Sequence, residues 1–204
     1  DAEYLLEQNV KALVVACNTA TSAAIRILRK KYQAQMPVIG IEPALKPAVS
    51  VKKNPRVIVM ATPMTIREEK FQKLLKLFTS RAQIISLPCP GLVEFVERGE
   101  LESEALDDFL SALFAPYKDE PIDAVVLGCT HYPLIRESIQ KSLGSGVAVF
   151  DGGAGTARET LRKLKEYQIL SDSTERGTVV FENSTGDERM IELSRYLLER
   201  NLKH

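Results

Sequence analysis

The chain is short of cysteine and histidine, has no excess of charge of either sign, and carries no long apolar run. Each shortage excludes something. Three cysteines, Cys17, Cys89 and Cys129, are an odd number for a secreted disulfide framework and stand too far apart for C-x-x-C zinc pairs, so a reducing compartment is expected and no metal set is. Lys+Arg and Asp+Glu each number 27, which gives a formal net charge of zero and a pI near 6.9. No overall field then draws in nucleic acid or an acidic membrane, and the expected partner is a small molecule. No apolar run reaches the roughly 18 residues of a membrane-crossing helix, and the start, Asp1-Ala-Glu-Tyr-Leu-Leu6, lacks the basic opening and apolar stretch of a signal peptide. The expected location is the cytoplasm. The chain also begins without an initiator methionine, on what reads as the tail of an amphipathic helix, so residues upstream are expected to be missing.

What is present is ordinary globular composition: 204 residues, 45% hydrophobic and 26% charged, with 11 glycines and 10 prolines. Disordered, collagen-like and membrane-spanning classes are excluded. A chain of this length buries roughly 70% of the surface its unfolded form exposes, enough for one large core or two small lobes without disulfides.

Short β-branched runs alternate with helical periodicity along the chain. Ala12-Leu-Val-Val-Ala16, Pro37-Val-Ile-Gly-Ile41, Val57-Ile-Val-Met-Ala61, Ile84-Ile-Ser-Leu87, Asp123 to Gly128, Val147 to Phe150 and Thr178 to Glu182 read as strands. Helices are expected over about 20–32, 44–51, 62–78, 91–98, 101–116, 133–143, 156–167 and 188–200. The alternation predicts an α/β fold with mainly parallel sheets.

One internal echo stands out. Leu13-Val-Val-Ala-Cys17-Asn-Thr and Val125-Val-Leu-Gly-Cys129-Thr-His share an apolar strand, a small residue, a cysteine and two polar residues. Open α/β sheets bind ligands beyond the carboxyl ends of their strands, so each cysteine occupies a substrate-facing position if each belongs to its own lobe. A cysteine there is often only structural, but the polar neighbours Asn18, Thr19, Thr130 and His131 argue otherwise. Two thiols flanking one carbon can remove a proton from one face and return one to the other, which inverts the centre. His131, one of only two histidines (the other is terminal His204), is the candidate acid or base next to Cys129. Cys89, between two prolines, reads as structural. Gly152-Gly-Ala-Gly155 fits neither the dinucleotide fingerprint nor the Walker pattern and reads as a turn before a helix.

Ala16-Cys17-Asn18-Thr19-Ala20-Thr21, Thr62-Pro63-Met64-Thr65 and Gly128-Cys129-Thr130-His131-Tyr132-Pro133-Leu134 resemble, in order and spacing, the signatures of bacterial glutamate racemases. Weaker similarity at Cys89-Pro90, Phe95 to Leu101 and Ser184 to Asp187 extends the resemblance over nearly the whole chain. It implies two α/β lobes of related topology, each a mainly parallel sheet flanked by helices, with the active site in the cleft between them. Residues 1–43 and 151–204 would form the first lobe and 44–150 the second. It also implies a cofactor-independent enzyme that interconverts L- and D-glutamate for peptidoglycan synthesis, and it leaves a homodimer open.

Carried over position by position, Cys17 matches the thiol on the D-glutamate face and Cys129 the thiol on the L-glutamate face, with His131 assisting Cys129. Asn18, Thr19, Thr62, Thr65 and Thr130 match substrate-binding positions. Glu97 matches a carboxylate near the cysteine–histidine side, although a Glu flanked by Glu94, Arg98 and Glu100 equally suits a solvated helix face. Family members begin with a strand ending in Asp-Ser-Gly-x-Gly-Gly and carry a later Pro-Tyr-Gly loop, and neither motif occurs here. The resemblance therefore implies a truncated chain, weakly active or inactive when expressed alone. Three alternatives remain at this level: an aspartate racemase or related isomerase, a thiol hydrolase using Cys129 and His131, and an inactive binding module.

Overall fold

The computed structural model describes residues 1–201, and His204 lies outside them. The chain opens with α1 (Ala2–Glu7), β1 (Leu13–Val15), α2 (Asn18–Tyr32) and β2 (Val38–Gly40). β1 and β2 pair in parallel as a two-stranded sheet. Ile25 and Tyr32 of α2 close over it with Leu13 and Val38, and Leu5 and Leu6 of α1 join this small core.

After β2 the chain crosses to a second sheet. Its elements are α3 (Leu45–Ala48), β3 (Arg56–Ala61), α4 (Pro63–Arg67), α5 (Glu69–Lys76), β4 (Gln83–Pro88), α6 (Leu92–Glu97), α7 (Glu104–Phe114), β5 (Ala124–Leu127), α8 (Arg136–Leu143) and β6 (Ala148–Asp151). The strands run parallel in the order β4-β3-β5-β6, with Val59 of β3 opposite Val126 of β5. Side chains alternate across a strand, so β3 feeds two cores. Ile58 and Met60 meet Val125 and Leu127 under α6, α7 and α8. Val57, Val59 and Ala61 meet Ala124 and Val126 under α3 and α5. Each such fully buried aliphatic side chain contributes roughly 1.5–3 kcal/mol, and this is why the two central strands read as continuous apolar runs.

The chain returns from β6 into α9 (Gly153–Glu166), which lies against β2, where the Tyr167 hydroxyl donates to the Gln33 carbonyl at 2.7 Å. α10 (Glu188–Asn201) reaches the larger sheet: Leu197 packs on the core under α6 to α8, and Arg200 pairs with Glu102.

Four expectations need correction. The helix expected over 62–78 is broken at Glu68, whose extended backbone (ψ 131°) separates α4 from α5. No Gly or Pro announces that break; the Gln72 side-chain amide donates to the Ile66 carbonyl at 2.7 Å and satisfies the end of α4. The helix expected from Pro133 opens as a 3-10 turn over Tyr132–Ile135 and becomes α-helical only from Arg136. α9 starts inside the glycine segment, at Gly153, whose N–H donates to Asp151 Oδ1 at 2.9 Å. Thr178 to Glu182 joins neither sheet among the described residues. A strand needs a neighbouring edge for its ladder, and this segment runs beside α1 instead, where the Tyr4 hydroxyl donates to Glu182 at 2.9 Å.

Candidate active site

Three parallel strands deliver the site. β1, β3 and β5 each end in a polar turn that starts a new helix or 3-10 turn: Cys17-Asn18-Thr19 after β1, Thr62-Pro63-Met64-Thr65 after β3, and Cys129-Thr130-His131 after β5. β3 and β5 are hydrogen-bonded neighbours, and their ends nearly touch. The Gly128 N–H donates to the Met60 carbonyl at 2.7 Å, and a Cβ on Gly128 would stand only 2.6 Å from that oxygen. Glycine is therefore required immediately before Cys129.

Cys17 caps α2. Its backbone is extended (φ −130°, ψ 123°), its thiol is exposed, and its sulfur accepts from the Ala20 N–H at 3.5 Å. Cys129 is buried, and that burial pushes its thiol pKa up; hydrogen bonds from the backbone at His131 and Thr130 oppose the rise, while the nearby Cys17 and Glu97 add to it. A charge on Cys17 thus favours the protonated form of Cys129.

His131 bridges Cys129 to Glu97. Its Nδ1 lies 3.6 Å from the Cys129 sulfur and its Nε2 lies 3.5 Å from Glu97 Oε1. Glu97 ends α6 with its side chain half-exposed, so it touches the histidine from the solvent side. The solvated helix face and the position beside histidine turn out to be the same place.

Thr19, Thr62 and Thr65 come together although they are far apart in sequence. Their hydroxyls form a closed triangle, with Thr19 to Thr65 at 2.7 Å, Thr62 to Thr65 at 2.9 Å and Thr19 to Thr62 at 3.1 Å. Thr62 also caps α4 by accepting from the Thr65 N–H at 3.1 Å. Asn18 is buried at the start of α2, and its Oδ1 has no hydrogen-bond partner among the described residues, an orphan that a ligand donor can satisfy. Thr130 sits half-buried beside Cys129.

Two residues behind Cys129 received no catalytic role from the sequence. Cys89 is buried, its thiol donates to the Leu87 carbonyl at 3.3 Å, and burial pushes its pKa up to about 12, so it stays a neutral thiol. Tyr132 is fully buried, with its hydroxyl beside the Cys89 thiol. Burial raises its pKa, and Cys89 and Cys129 push the same way. Together they form the dry wall behind the Cys129 thiol. Tyr132 lies inside the 128–134 motif, but an aromatic residue followed by proline is common in turns, so the sequence assigns it no role of its own. Among the described residues no group of three or more His, Cys, Asp or Glu side chains is placed to hold a metal ion, and no helix is long and apolar enough to cross a membrane.

The family model for Asp/Glu/hydantoin racemases matches residues 1–160. A glutamate racemase of Clostridium botulinum is 49% identical over 97% of this chain and 76% of its own length. A crystal structure of Escherichia coli glutamate racemase, in complex with L-glutamate and an activator, superposes with a TM-score of 0.81 at 30% identity, covering 96% of this chain and 74% of that one. A Bacillus anthracis glutamate racemase superposes with a TM-score of 0.72 at 34% identity, covering 84% of this chain and 64% of that one. The chain thus spans about three quarters of the curated relative and just under two thirds of the Bacillus protein. With parallel α/β sheets, two cysteines at strand ends and this breadth of similarity, the chain belongs to the Asp/Glu/hydantoin racemase family, among the glutamate racemases.

Proposed function

We propose that the protein interconverts L- and D-glutamate without a cofactor, by a two-thiol mechanism, and supplies D-glutamate for peptidoglycan. The observation that carries this reading is the placement of Cys17 and Cys129 in polar turns directly after β1 and β5, strands of different sheets.

A two-base racemase needs one thiolate and one thiol at a time. Burial favours the protonated form of Cys129, and a charge on Cys17 acts the same way, so two thiolates at once are disfavoured. With L-glutamate bound, the Cys129 thiolate takes the α-proton and the Cys17 thiol donates its own proton to the opposite face of the carbanion. The product is D-glutamate, and the enzyme is left with Cys17 as thiolate and Cys129 as thiol. The reverse reaction exchanges the two roles. His131 orients Cys129 and passes protons between its thiol and solvent, with Glu97 holding the far side of the imidazole.

Asn18, Thr19, Thr62, Thr65 and Thr130 bind the substrate's carboxylates and ammonium group. Short neutral oxygens and helix N-termini suit a small substrate with two carboxylates. The same reading has residues 1–43 and 151–204 as one lobe and residues 44–150 as the other, in a cytoplasmic enzyme, and leaves a homodimer open.

The test is deuterium incorporation at the α-carbon of each glutamate enantiomer in heavy water, using protein expressed from the complete reading frame with no cofactor added. Exchange from both enantiomers, with aspartate inert, is expected. Exchange from aspartate would reassign the substrate, and no exchange from either amino acid in folded protein would overturn the reading in favour of acyl transfer by the Cys129–His131 pair or simple binding.

A further inference from the structure

The triangle of threonine hydroxyls joins the two sheets. Thr19 stands on α2, which covers the β1–β2 sheet, whereas Thr62 and Thr65 stand on α4, which follows β3 of the four-stranded sheet. The chain itself crosses between the sheets after β2 and before α9. At those crossings Gly152 lies so close to the Glu42 carbonyl that a Cβ on it would stand 2.5 Å away. The two crossings thus lie side by side, and the hydroxyl triangle is a separate, non-covalent tie.

Counting protons shows what the triangle can do. Three hydroxyls carry three hydrogens, and the closed triangle has three hydrogen bonds, so every donor is consumed internally. Thr62 spends a further lone pair on the Thr65 amide. What the closed triangle still offers is lone pairs, on Thr19 and Thr65. A carboxylate only accepts, so it gains nothing from the triangle as it stands and must open it to bind.

We propose that this triangle is a latch between the two sheets that the substrate's carboxylate opens and then replaces. In the ligand-free protein the short Thr19–Thr65 hydrogen bond holds the sheets together. On binding, both hydroxyls turn their protons to one carboxylate, which becomes the shared acceptor linking them, while Thr62 donates to one of the pair. The sheets are therefore tied through the carboxylate while it is bound and through the threonines alone once it leaves. The identity of the carboxylate rests on the glutamate reading above, but the latch does not.

The experiment has a ligand-free arm and a ligand arm. Unfolding equilibria are measured for wild type, Thr19→Val, Thr65→Val and the double variant, since valine matches threonine in shape but lacks the hydroxyl. Coupling of about fivefold in the unfolding constant is expected, the size of one net hydrogen bond. Additive effects would overturn the latch. Thr19→Ser keeps the hydroxyl and is expected to retain the coupling to Thr65, whereas loss of coupling with serine would assign it to packing and overturn the proposal. In the second arm glutarate, a five-carbon dicarboxylate with no amine and no chiral centre, is titrated calorimetrically. About tenfold weaker binding to Thr19→Val is expected, and equal binding to the two proteins would overturn the exchange of latch for carboxylate. Failure of the glutamate reading would look different, because isotope exchange would be absent while the ligand-free coupling remained.

Discussion

The imidazole of His131 reaches Glu97 with one nitrogen, 3.5 Å away, while its other nitrogen lies 3.6 Å from the sulfur of Cys129. The carboxylate raises the Cys129 pKa through space, so Glu97→Gln should lower it. Alkylation of Cys129 by iodoacetamide should then rise at a lower pH than in wild type. Because the pair is half-exposed and screened by water, the change in racemisation rate is expected to be modest, up to about fivefold. An unchanged alkylation profile would remove Glu97 from the site.

Cys17→Ser and Cys129→Ser should each abolish racemisation, by at least about a thousandfold, because a hydroxyl is a far weaker acid than a thiol. Circular dichroism should show the fold intact in both, since Cys17 is exposed and serine is nearly isosteric. Comparable activity in either variant would end the two-thiol mechanism.

Cys89 has a different signature. Its thiol pKa is raised to about 12 in the folded protein, against about 8.5 for a free cysteine, so the folded state holds its proton where the unfolded chain loses it. That contribution to stability is complete below about pH 8.5 and is lost as pH climbs toward the folded value, by on the order of 1 kcal/mol per pH unit. Chemical denaturation should show wild type weakening more steeply with pH in this window than Cys89→Ala. The variant should lose stability at neutral pH from its cavity, yet keep its activity.

Gly128→Ala tests the junction of β3 and β5. Its Cβ would meet the Met60 carbonyl at 2.6 Å, a backbone atom that cannot swing aside. A loss of about 3 kcal/mol in stability is expected by thermal melting, with activity falling further because the Cys129 turn shifts with the strand end.

The apolar runs at 57–61 and 123–128 were legible as buried strands because burial on both faces demands β-branched and aliphatic residues without interruption. The same clarity placed Cys17 and Cys129 at strand ends. The break at Glu68 was not legible, since a helix can stop wherever a side chain such as Gln72 supplies the missing partner. Thr178 to Glu182 misled for the opposite reason: its composition suits a strand, but pairing depends on a neighbour that local sequence does not encode.

From its residue pattern alone, then, the chain determines an α/β architecture and two thiols at the ends of parallel strands. Those features depend on local periodicity and on the chemistry of single residue types. Tertiary structure alone decided that Thr19 would bond to Thr65, that Glu97 would end α6 within reach of His131, and that Tyr132 and Cys89 would wall off Cys129. These contacts join residues distant along the chain, and their geometry follows from how two sheets and their helices pack.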